Sequence, residues 1–153
     1  MQPMQLTKLK WTKNDVSEPK KEKVLAKLIA LLEEISNREI SETTKEKLNF
    51  SLDALNTMNQ VELNRSIKKT YDNIVQILVK EEKLVPAGYY KMLWMSLGMA
   101  TFGIPMGVAF SASLDNYAFI GIGLPIGMVI GMAIGAKKDE DAKKKGLQLN
   151  VNM

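Results

Sequence analysis

Residues 92–138 read MLWMSLGMATFGIPMGVAFSASLDNYAFIGIGLPIGMVIGMAIGAKK. Two uncharged, mostly apolar runs lie inside this stretch, residues 92–112 and 117–136, and only SLDN separates them. At about 1.5 Å of rise per residue, a helix of either length crosses the roughly 30 Å hydrocarbon core of a bilayer. A connection this short leaves room only for an antiparallel hairpin. The competing interpretation is a buried hairpin in a soluble protein, but nothing else in the 153-residue chain is large enough to cover one. The sequence therefore predicts an all-α membrane protein built on a two-helix transmembrane hairpin.

Charge is segregated around that hairpin. Residues 1–91 carry 16 Lys/Arg and 13 Asp/Glu, residues 92–136 carry Asp115 alone, and residues 137–145 carry five Lys against three acids. Lys80, Lys83 and Lys91 precede the first span, Lys137, Lys138, Lys143, Lys144 and Lys145 follow the second, and the loop has none. Positive residues stay on the cytosolic side, so both termini are expected in the cytosol. Tyr89, Tyr90, Lys91, Trp94, Lys137 and Lys138 fit an inner interfacial belt, with Tyr117 and Phe119 on the outer side.

Several functions are argued against by composition. There is no Cys and no His, which removes thiolate chemistry, the commonest general base and the commonest transition-metal ligand. The expectation is no enzyme, no catalytic residue, no cofactor and no metal. KEEK at 80–83 and KKDEDAKKK at 137–145 read as solvated charge runs. Nucleic acid is a poor fit as a partner, because glutamates interleave the lysines of EPKKEKVLAK.

Before the hairpin, residues 1–16 read as a flexible tail with Trp11 as its one bulky feature. Residues 17–86 read as a cytosolic amphipathic domain, a helical bundle or coiled hairpin. Its first helix has Ser17 as candidate cap, Pro19 in its first turn, and a face of Val24, Leu28, Leu31, Leu32 and Ile35; Asn37 is its stop. Ser41 caps the second helix, with Leu48, Leu52, Leu55 and, at its end, Met58 as its stripe. Ile67, Tyr71, Ile74 and Leu78 mark a third, and the apolar phase slips near residues 56–59, leaving open whether helices two and three are continuous. Residues 137–153 form a charged cytosolic tail, its alternating Leu147, Leu149 and Val151 expected to lie disordered near the membrane.

Eight of the ten glycines fall in the two spans. In lipid, apolar burial does not drive helices together, so small residues that admit close backbone approach do. Gly123, Gly127, Gly131 and Gly135 repeat at every fourth position, and Gly103, Gly107 and Ser111 make a shorter row, continued backwards by Ala100 and Ser96. GIPMGV at 103–108 echoes GLPIGM at 123–128, so Pro105 and Pro125 are expected at one depth, as a matched kink or a gate.

On these residues, with Asp115 and Asn116 at the turn, residues 95–150 resemble the bacterial glycine-zipper membrane protein family. The resemblance implies a small two-span hairpin in a bacterial inner membrane and no settled biochemical role. The functional expectation is a membrane-anchored, self-associating scaffold that oligomerises through its glycines. Its partners would be the bilayer, other copies and a soluble protein bound by residues 17–86. The alternative is an oligomeric pore gated by the cytosolic helices.

Overall fold

A computed structural model describes residues 5–12, 15–16 and 18–152. Ser17 lies outside the described residues. The chain divides into two compact units, Met1–Pro86 with Leu149–Val151, and Ala87–Gln148 with Asn152–Met153.

Three helices build the first unit: α1 (Pro19–Ser36), α2 (Glu42–Thr57) and α3 (Gln60–Ile77). Glu18 precedes α1, and Pro19 opens it, where a missing N–H leaves no intrahelical bond unmade. Asn37 ends it: its N–H returns to the Glu34 carbonyl, and the Arg38 N–H to the Ile35 carbonyl. The Ser41 side chain accepts the Thr44 N–H at the start of α2. The slip at residues 56–59 is a true break: Met58 is extended, and Asn59 and Glu62 form a reciprocal capping box that starts α3.

Leu25, Leu28, Leu31 and Ile35 of α1, Leu48, Leu52 and Leu55 of α2, and Leu63, Ile67 and Ile74 of α3 are fully buried and make the core. Val24 and Leu32, expected in the α1 stripe, stand half-buried beside it. Leu25 takes the central position instead.

The two tails do more than the sequence suggests. A short strand β1 (Val85–Ala87) pairs with β2 (Gln148–Asn152), the segment expected to be disordered. Leu149 is fully buried and Val151 nearly so. Pairing gives part of the β2 backbone its hydrogen bonds, while alternation turns Leu149 and Val151 inward. At the other end of the chain, residues 5–12 were expected to be flexible; they lie extended along α2, held by five hydrogen bonds to its side chains and the Leu55 carbonyl.

KEEK is not simply a solvated run. After α3 the chain widens into a π-helical turn, Leu78–Glu82, and closes through Lys83 in the left-handed conformation. That turn brings Glu81 to Lys47 at 2.7 Å and Glu82 to the N–H and hydroxyl of Ser41, at 3.0 and 2.7 Å. Both carboxyls are held below the usual Glu range. For Glu81 the cause is the Lys47 hydrogen bond and charge, and for Glu82 the hydroxyls of Thr44 and Ser41.

The second unit is a helical hairpin. Its first arm runs Tyr89–Leu114 as α4 (Tyr89–Gly98), a π-helical turn (Met99–Gly103) and α5 (Ile104–Leu114). The second runs Tyr117–Lys144 as a 3-10 turn followed by α6 (Ile120–Lys144). Both arms are long and apolar enough to cross a bilayer, with mean hydropathies of 1.4 and 2.1.

Candidate functional site

Between the arms, glycine stands where the backbones meet. A methyl group on Gly127 would overlap the Gly98 carbonyl oxygen and lie 2.7 Å from the Gly103 Cα. One on Gly123 would overlap the Gly103 carbonyl and the Gly107 backbone. Gly131 meets Trp94 and Met95, Gly135 meets Tyr90 and Lys91, and Gly107 meets Ile120. Four of the five glycines of the second arm, Gly123, Gly127, Gly131 and Gly135, are buried, as are Gly98, Gly103 and Gly107. Gly121 lies off this face, with nothing near its Cβ position. The glycine row that the sequence assigned to contacts between copies is thus used within one chain.

On the first arm the row takes an unexpected course. Ala100 and Ser96 are exposed, and the buried glycine is Gly98, five residues before Gly103 rather than four. The π-helical turn explains the extra residue. Ile104 donates its N–H to Met99, five residues back, and Pro105 offers no N–H to the turn that follows. The turn widens by one residue, which carries Gly98 onto the face of Gly103. A four-residue repeat does not reveal Gly98; the proline two residues past Gly103 was the available signal.

Pro105 and Pro125 do not share one depth. Gly103 faces Gly123 and Leu124. The prolines sit two residues beyond that contact in opposite directions, roughly one helical turn or 5 Å apart along the hairpin. α6 remains helical through Pro125, whereas the first arm carries its distortion just before Pro105. Ser111 is buried near the tip, and its carbonyl accepts the Asn116 N–H at 3.2 Å. Asp115 occupies the left-handed position of the turn at φ 48°, and Asn116 caps the next turn by accepting the Ala118 N–H at 2.9 Å.

At the open end, several expected interfacial residues come together. Tyr89 and Tyr90 meet edge to face at 5.4 Å, and the Lys138 ammonium lies 5.4 Å from the centre of the Trp94 ring. Lys91 and Lys137 are exposed beside them, and Tyr117 is exposed at the far end. The unexpected member is Asp139, from the run expected to be solvated. It is almost fully buried, and its two oxygens accept the Tyr90 and Lys91 N–H groups at 3.0 Å each. Asp139 thereby caps α4, whose own N-cap Gly88 has no side chain to do so.

Among the described residues no group of three or more Asp or Glu gathers in a way that could hold a metal ion. Compared with known proteins, the chain matches no family model, no curated protein and no solved structure.

Proposed function

We propose that the chain is a membrane-anchored interaction protein: a glycine-packed hairpin sits in the bilayer and presents a helical domain to the cytosol. The observation that carries this reading is the inverted distribution of side chains in the hairpin. Only 17% and 22% of the most apolar windows of the two arms is buried. Glycines face inward, while Leu93, Leu97, Phe102, Val108, Phe110, Ile122 and Val129 face out. Water would penalise such a surface at about 25 cal/mol per Å², and hydrocarbon would not. β1 and β2 directly precede and follow the two arms and pair with each other, which supports both ends lying on one side.

Kinship with the bacterial glycine-zipper proteins, and a place in a bacterial inner membrane, belong to the same proposal. So does self-association. With the glycines engaged inside the chain, copies meet through the lipid-facing side chains and through exposed apolar residues of the helical domain such as Phe50.

Expressed in a bacterium with a tag at each end, the protein should stay in the pellet after alkaline carbonate washing. Both tags should resist external protease in intact cells and yield in inverted vesicles. Release by carbonate, or cleavage of either tag in intact cells, removes the proposal. The pore alternative draws on the π-helical turn beside Pro105, a site of irregular backbone inside an apolar arm. Leakage from dye-loaded liposomes that Pro105→Ala abolishes would favour it over the scaffold.

A further inference from the structure

Residues 5–12 are bound by side chains of α2 in a repeating pattern. Asn49 Oδ1 accepts the Thr7 N–H at 2.7 Å, while Asn49 Nδ2 donates to the Gln5 carbonyl at 3.0 Å. Asn56 repeats the pair two turns later, accepting the Lys10 N–H at 2.8 Å and donating to the Lys8 carbonyl at 3.0 Å. The two spacings match: seven helical residues advance about 10.5 Å and three extended residues about 10 Å. Trp11 adds a bond from its Nε1 to the Leu55 carbonyl at 2.9 Å. The four asparagine bonds address main chain alone, so they are indifferent to the side chains of whatever extended segment lies there.

The side chains of that segment fill their place poorly. Leu6, Leu9 and Trp11 are half-buried and, with Ile29, Leu32 and Ile35 and the charged Arg38 and Lys45 among its lining residues, border an open surface pocket of about 740 Å³. A surface pocket of this size falls among ligand pockets.

We propose that α1 and α2 form a receptor groove for an extended peptide of a partner protein, and that residues 5–12 are its resident stand-in. The geometry specifies the peptide's chemistry. It needs free N–H groups at two positions three residues apart, where Thr7 and Lys10 now donate, so proline is excluded from both. Aromatic side chains in place of Leu6 and Leu9 reach further into the open pocket beside them. This inference rests on the interaction role proposed above. Its test uses detergent micelles, so a negative result leaves the carbonate and protease experiments untouched.

The protein has two tryptophans, Trp11 and Trp94. In the full-length Trp94→Phe chain, Trp11 emission therefore reports whether the stand-in is in place. A synthetic peptide QFTKFKFT should shift that emission to the red saturably as it displaces residues 5–12. Two hydrogen bonds are withheld by QFPKFPFT, which should bind about tenfold more weakly or worse. Asn56→Ala should weaken QFTKFKFT by a similar factor; because QFPKFPFT leaves the protein unaltered, the comparison stands even if that variant misfolds. Equal binding of the two peptides, or no saturable shift, overturns the proposal. A shift that grows with protein concentration alone also overturns it, by placing a second copy's segment in the groove.

Discussion

Asp139 reaches across the hairpin to Tyr90, its Oδ1 accepting the Tyr90 N–H at 3.0 Å while its other oxygen takes the neighbouring Lys91 N–H. One carboxylate near the end of α6 thus fixes the start of α4. Asp139→Ala leaves two N–H groups in a nearly closed site without a partner, and the expected cost is about 1–3 kcal/mol. Asp139→Asn keeps one acceptor and should cost less. Amide hydrogen exchange at Tyr90 and Lys91 is the direct readout, and faster exchange there than along the rest of α4 is expected. Unchanged exchange in Asp139→Ala would show the cap to be idle.

Gly127 and Gly121 lie six residues apart on one helix and should respond oppositely to alanine. At Gly127 the added methyl meets backbone that cannot rotate away, so the arms must part; overpacking of this kind costs about 1–3 kcal/mol. Gly121 has open space at that position, and its alanine variant should stay within about 0.5 kcal/mol of the parent. Thermal unfolding in detergent, followed by fluorescence energy transfer between labels at the two ends of the hairpin, compares them. Equal loss in both would mean that the contact face is misassigned.

Glu81 and Glu82 tie the end of α3 to α2 through Lys47 and Ser41. Both fold with a carboxyl pKa below the ordinary 4.5, so the unfolded chain takes up protons first as pH falls. The stabilisation is present above the ordinary value and disappears as pH drops through the lower folded one. The melting temperature should therefore fall as pH drops below about 4.5. Glu82→Gln should start lower at neutral pH and show a flatter profile. A parent and variant with parallel profiles would assign the acid sensitivity elsewhere.

Leu149 is fully buried although only four residues follow it in the sequence. Leu149→Ala should destabilise the helical unit by about 2–4 kcal/mol, as core truncations of this kind do. Chemical denaturation followed by far-ultraviolet circular dichroism measures it. No loss would mean that β2 contributes nothing to the unit it joins.

Much of this architecture is legible in the sequence because it depends on local chemistry. Two long apolar runs across a four-residue gap can only fold back on each other, and Asn37 and Ser41 mark helix ends through bonds to their own neighbours. What escapes notice depends on partners remote in sequence. Asp139 sits among five lysines and two other acids and looks solvated until Tyr90 is placed beside it. Asn49 and Asn56 are ordinary polar residues on a helix surface until an extended chain lies across them. β2 has a partner of only three residues, one of them proline, too short for a recognisable strand signal. Gly98 drops out of a four-residue repeat because a π-helical turn inserts one residue between it and Gly103. The Asn59–Glu62 capping box is the exception, a local signal that decides the break between α2 and α3.

The pairing of β1 with β2 has a bearing on the order of events at the ribosome. Val85 emerges before the hairpin and Leu149 after it, so the helical unit lacks its final strand until both arms have been translated. Closing a loop of that length carries an entropic cost that rises only slowly with further length. The delay is set by synthesis rather than by search. A truncated chain ending anywhere inside the hairpin would carry Val85 with its neighbouring strand missing, and so would be marked as unfinished at a site far from the truncation.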